Sequence, residues 1–153
     1  MTSNLFLGYL CWKIHCASAT SKNSEELDPQ VQIEEVNMYM AKKADEAIKK
    51  KKFDLSSYEG IDDYCLYLRG HLSVVDVRLQ TSSIKISVRC PTLAILEYLW
   101  GDYCSGNLNA VAKECLITEE VKDELDMETI QLTTTILEED YLACKSSLMA
   151  GKF

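Results

Sequence analysis

Ile84-Lys85-Ile86-Ser87-Val88-Arg89-Cys90-Pro91-Thr92 is the stretch that decides the fold. Ile84, Ile86 and Val88 alternate with Lys85, Ser87 and Arg89, which makes one side of an extended strand apolar and the other wet. Pro91 stops the strand, and Thr92 is a suitable N-cap for a helix over residues 93–103. Just upstream, Val75, Val77 and Leu79 alternate with Asp76, Arg78 and Gln80. The polar turn Thr81-Ser82-Ser83 joins the two runs, so an antiparallel hairpin with one covered face is predicted. Arg78 and Arg89 fall near each other across that hairpin on its wet face.

Downstream, Leu93, Leu96, Leu99, Trp100 and Tyr103 recur at helical spacing. Trp100 is expected as a buried anchor between the strand pair and this helix. The break Cys104-Ser105-Gly106-Asn107 separates two apolar helical faces, which predicts positive φ at Gly106 and a cap from Asn107. The next face is Leu108, Val111, Ala112 and Cys115. Thr118-Glu119-Glu120 opens a short helical turn reaching Leu125. Ile130, Leu132, Thr134 and Ile136 then alternate with Gln131, Thr133 and Thr135, the pattern of a half-exposed strand. A last helix over 139–149 is expected to place Tyr141, Leu142, Lys145, Leu148 and Met149 on one side.

Towards the N-terminus, Ile61, Tyr64, Cys65 and Leu68 suggest a helix, with Asp54 or Ser57 as its cap and Gly70 as a left-handed stop. Asp28-Pro29 is a strong helix start. Ile33, Val36, Met40, Ala44, Ala47 and Ile48 continue from it at three- and four-residue spacing to about Lys52, where four lysines suit the negative end of the helix dipole. Residues 18–27 read as a linker. The apolar run at 5–12 has no positive residue before it, unlike a secretory leader, and is shorter than the roughly 18 residues a membrane span needs. It reads as a strand, a short helix or an unpacked leader. The resulting division is a leader or linker over 1–27 and a single domain over 28–153. The fold class is α+β: a two-layer sandwich, an antiparallel sheet with helices packed on one face.

The chain has 153 residues, 47% of them hydrophobic, which is enough for one core. Its net charge of −8 argues against nucleic acid or an anionic membrane as partner. The seven cysteines are odd in number and contain no C-x-x-C pair, which fits a reducing, cytoplasmic setting.

Catalytic candidates are few. Cys11 or Cys16 with His15 or His71 would be the nucleophile–base pairs of a thiol hydrolase, but no oxyanion motif accompanies them. Cys11, His15 and Cys16 lack a fourth zinc ligand nearby. Glu138-Glu139-Asp140 reads as a helix start favoured by its dipole. No phosphate-cradling glycine loop occurs. Neither a catalytic residue, a metal site nor a cofactor site is therefore assigned.

Several of these segments resemble the TRADD N-terminal domain (TRADD-N) family, in particular its invertebrate type. The resemblance rests on Ile84-x-Ile86-x-Val88-x-Cys90, on Leu99-Trp100-x-x-Tyr103-x-x-Gly106-x-Leu108 and on Thr118-Glu119-Glu120-Val121. The strand from Ile130 through Leu132 and Thr134 to Ile136, and Glu138-Glu139-Asp140-Tyr141, extend it over somewhat under half of the chain. It implies an α/β sandwich without enzymatic activity that binds a TRAF-type signalling adaptor through its exposed sheet face. The family's partner-binding residues lie mostly in parts that do not align, so none is carried over. A death domain does not follow Phe153, so the sequence is read as a lone domain, a competitor of longer relatives or a piece of a longer adaptor.

The combined expectation is a protein-interaction domain, an adaptor or scaffold in death-receptor-like or innate-immune signalling. Its partner would be a protein such as a TRAF-like or death-domain adaptor, with self-association through a hairpin edge as a rival role. The wet sheet face, with Asp76, Arg78, Lys85, Ser87, Arg89, Gln131, Thr133 and Thr135, is the predicted docking surface.

Overall fold

The computed structural model describes residues 9–22, 28–49, 61–80 and 84–150. They form β1 (Tyr9–Ser21), α1 (Pro29–Lys49), α2 (Ile61–Gly70), β2 (Val75–Gln80), β3 (Ile84–Arg89), α3 (Leu93–Cys104), α4 (Asn107–Leu116), α5 (Glu119–Leu125), β4 (Met127–Thr135) and α6 (Glu138–Met149). The sheet runs β2-β3-β1-β4, and every neighbouring pair is antiparallel. The fold is α+β, as the alternating runs predict. The expected turn at 81–83, the caps Asp54 and Ser57, the side chains of Ala47 and Ile48, and residues 50–52 of the lysine run lie outside the described residues.

The largest departure from the sequence reading is at the N-terminus. Residues 9–21 are not a leader or linker but one of the two interior strands of the sheet, paired with β3 on one side and β4 on the other. Leu10, Trp12, Ile14 and Cys16 are buried, while Lys13 and His15 between them are exposed. The cross-strand partners Leu10↔Val88, Trp12↔Ile86, Ile14↔Ile84, Ile14↔Thr134 and Cys16↔Leu132 all meet on the covered face. A register shift follows Cys16, where its N–H leaves the ladder and donates to Asn37 Oδ1 of α1 at 2.7 Å.

The helices close the apolar side. α1 lays Val36, Met40 and Ala44 into the core, and its first turn is fixed by Asp28, whose Oδ1 accepts from the Gln30 N–H at 3.0 Å. Thr92 caps α3 by accepting from the Ile95 N–H, and Thr118 caps α5 by accepting from the Val121 N–H. Gly106 has φ +87° at the α3–α4 junction, as its place in the polar break predicts. Asn107 is not a cap. Its amide donates to Tyr67 Oη at 2.9 Å and Asp102 Oδ1 at 2.8 Å, tying α2, α3 and α4 together.

Three further expectations are corrected. Among the described glycines only Gly106 has positive φ, so Gly70 does not stop α2 left-handedly; Ser73, at φ 61°, takes that conformation instead. Trp100 is only half-buried, stacked on Tyr141 at 4.1 Å, and Trp12 is the fully buried indole. On α6 the inward residues are Tyr141, Cys144, Ser147 and Leu148, whereas Leu142 and Met149 are exposed. Cys144 and Ser147 hold inward positions on α6, and those two apolar residues lie outward. Lys145 does keep its charge in water, where it pairs with Glu97 at 3.1 Å.

Candidate functional site: the open sheet face

Side chains alternate across a strand, and directly paired residues share a face. The register therefore defines the side of the sheet opposite the core. Tyr9 lies across from Arg89, Cys11 from Ser87, and Lys13 from both Lys85 and Thr135. His15 lies across from Thr133, Ser18 from Gln131, and Arg78 from Ser87. All the predicted docking residues, Arg78, Lys85, Ser87, Arg89, Gln131, Thr133 and Thr135, thus fall on one surface. β1 joins them in the middle with Tyr9, Cys11, Lys13 and His15, which the sequence reading left in a leader. The signal for these four was the period-two alternation of residues 9–16, which the preceding apolar run obscured.

The charge on this face is uneven. Among the described residues its half nearest Tyr9 carries Lys13, Arg78, Lys85 and Arg89 against one carboxylate, Asp76, a balance of +3 in a chain of −8. Asp76 is committed to Arg78, whose Nη2 stands 3.0 Å from Oδ2. The Tyr9 hydroxyl also donates to Asp76, and the Arg78 guanidinium lies 5.5 Å from the Tyr9 ring centre. Hydrogen bonds from Arg78 and Tyr9 lower the Asp76 pKa, and the same contact with Asp76 raises that of Tyr9. Asp76 holds φ 54° within a register shift of β2, a left-handed backbone that Asp tolerates better than most residues. The expected closeness of Arg78 and Arg89 is diagonal: Arg78 is across from Ser87, and Arg89 from Val75.

Lys13 and Lys85, by contrast, stand directly opposite each other. Opposed residues of antiparallel strands hold their Cβ atoms about 4.5–5.5 Å apart, and like charges there destabilise by up to about 1 kcal/mol. Among the described residues neither lysine has an ion-pair partner. The ladder roots the two side chains directly opposite each other, with both ammonium groups available to an external anion.

The sheet edges are less available. At β4, Asn109 Nδ2 donates to the Leu132 carbonyl at 2.9 Å, and the Thr134 hydroxyl donates to Asn109 Oδ1 at 2.8 Å. Beside this clamp lies an open depression of about 350 Å3 lined by Tyr103, Cys104, Gly106 and Thr133. At β2 the register shift around Asp76 disturbs the other edge.

The thiol candidates do not assemble. Cys11 is on the open face, its Sγ 2.9 Å from Ser87 Oγ, while Cys16 points into the core, where burial raises its pKa. His15 shares a face with Cys11 but lies four residues along the strand, about 13 Å away. His71 stacks on Tyr67 at 5.0 Å beyond the end of α2. Cys11, His15 and Cys16 therefore do not converge as metal ligands, and no group of three His, Cys, Asp or Glu suited to a metal occurs among the described residues. Burial raises the thiols of Cys90 to about 12 and of Cys144 to about 11. No described helix is long and apolar enough to cross a membrane.

No protein-family model, curated protein or solved structure matches this chain.

Proposed function

We propose that this chain is a non-enzymatic interaction domain, an adaptor or modulator in death-receptor-like or innate-immune signalling, acting in the cytoplasm. Its docking surface is the open sheet face, and its partner is a protein presenting carboxylates to that face. One observation carries the reading: Lys13 and Lys85 stand opposite each other across the ladder, on the same face as Arg78 and Arg89, where Asp76 is already paired with Arg78. Such an arrangement is unfavourable in the free domain and becomes favourable when an acidic surface covers it, which also speeds encounter. The resemblance to the TRADD-N family supports a signalling adaptor of the TRAF-like or death-domain type as the partner.

Affinity capture with the wild-type domain beside Lys85→Glu/Arg89→Glu, followed by titration of the identified, purified partner, tests this. The double reversal is expected to weaken binding at least about ten-fold, equivalent to about 1.4 kcal/mol, while the circular dichroism spectrum is kept. Cys11→Ser is expected to leave binding unchanged. Loss of activity with Cys11→Ser, together with full binding by the double reversal, would replace the adaptor reading with a thiol-dependent one.

A further inference from the structure

We propose that the chain also assembles head to tail with itself, the basic open face of one copy taking the acidic α5 corner of the next. This goes beyond the adaptor reading, because it requires no other protein. The argument begins with where the charges lie. Glu119, Glu120, Asp123, Glu124, Asp126 and Glu128 crowd the segment from α5 into β4, with Lys122 as the only cation among them. Lys122 pairs with Glu119, Lys22 with Asp123, and the Tyr39 hydroxyl donates to Glu124, yet the segment still carries six carboxylates against one cation of its own. Asp126 is held against the far end of β1, where its carbonyl accepts from the Lys22 N–H at 3.1 Å.

The two charge groups therefore sit at opposite ends of β1. Lys13 and Ser21 are eight residues apart, about 26 Å of extended chain. That exceeds the screening length of about 8–10 Å near physiological ionic strength, so the corner cannot neutralise the face of its own copy. A second copy can. The route is through the face, since Asn109 occupies part of the β4 edge and the register shift at Asp76 disturbs β2. A single face-to-corner contact leaves one face and one corner unused, so the assembly closes as a reciprocal pair or ring, or propagates as a chain.

Sedimentation velocity on the whole chain tests this. At about 0.1 M ionic strength the net repulsion between copies is screened beyond about 10 Å while contact pairing survives, and at about 1 M only about 3 Å of reach remains. The weight-average mass is expected to rise about two-fold or more above 17.3 kDa with concentration at the lower salt, and to return to the monomer at the higher. Lys13→Glu/Lys85→Glu reverses the face, and Glu120→Lys/Glu128→Lys reverses the corner. Each alone is expected to be monomeric, and their equimolar mixture to assemble again, because the swapped charges complement. Lys13→Gln/Lys85→Gln serves if a reversal fails to fold. Glu138→Gln/Glu139→Gln, removing two acids from α6, is expected to leave assembly unchanged. A wild-type chain that stays monomeric at about 1 mM and about 0.1 M salt overturns the proposal, as does a mixture of folded reversals that fails to assemble.

Discussion

Replacing Trp12 by Ala is the severest single test of the architecture, because it asks whether β1 is an interior strand of the sheet. Trp12 is 1% exposed, faces Ile86 across the ladder and is among the largest fully buried side chains. Truncating a buried indole removes its transfer energy and leaves a cavity, together about 3–5 kcal/mol. A domain of this size has only about 5–15 kcal/mol in total. At about 2–4 °C per kcal/mol, Tm should fall by about 6–20 °C. Trp100 supplies the internal comparison. It is half-buried, and its stack on Tyr141 is worth about 0.5–1.5 kcal/mol beyond the area it covers. Trp100→Ala should therefore cost clearly less, about 1–3 kcal/mol. Urea titrations of both variants, with thermal melts, measure the difference. In Trp100→Phe the only indole is Trp12, whose emission should be blue-shifted and resistant to acrylamide. If Trp100→Ala is the more damaging change, or if Trp12 emits like a solvated indole, β1 does not lie where the register puts it.

Gly106→Val should destabilise by about 1–2 kcal/mol in denaturant titration, because φ +87° is unfavourable for a β-branched residue. A Cβ there meets nothing within 4 Å, so Gly106→Asn, which tolerates the same backbone, should cost much less. Asn109→Ala should cost about 1–3 kcal/mol and increase light scattering on storage, since it leaves the Leu132 carbonyl and the Thr134 hydroxyl without that partner and uncovers the β4 edge.

The elements legible in the sequence were those whose signals are local. The alternation of residues 84–89 and 130–136, the caps Thr92 and Thr118, and the left-handed glycine at 106 need only neighbours within a few positions. The extent of β1 to Ser21 and its interior place are not legible locally, because its burial is decided by strands far along the chain and the apolar run at 5–12 overlaps its start and resembles a leader. A strand is one of three readings of the run at 5–12, and the alternation of Leu10, Trp12, Ile14 and Cys16 with Lys13 and His15 continues it to Cys16. Trp100 was overrated for a related reason: periodicity places a residue on the inner side of a helix but does not say how deep the neighbouring layer reaches. On α6, Leu142 and Met149 are more apolar than Cys144 and Ser147, yet the smaller pair is buried. The common face of Arg78, Lys85, Ser87, Arg89, Gln131, Thr133 and Thr135 follows from strand parity alone. The Lys13–Lys85 opposition does not, because a cross-strand pair does not exist until the register is known.

The place of β1 has a consequence for how the chain is made. It is synthesised before its partners, and Lys13 pairs with Thr135, more than a hundred residues later. At about 5–20 residues per second, its apolar face waits about 5–20 s for β4 to be synthesised. α1 and α2 are local and emerge early, so Val36, Met40 and Ala44 can shelter Trp12 and Ile14 only as a loose collapse. The β1–β3 and β2–β3 pairings become available once Arg89 is made, and the sheet is completed last, when β4 arrives. Any stall or truncation before Met127 therefore leaves Cys16, Ala19 and Ser21 without their ladder and one edge of β1 open to another nascent chain.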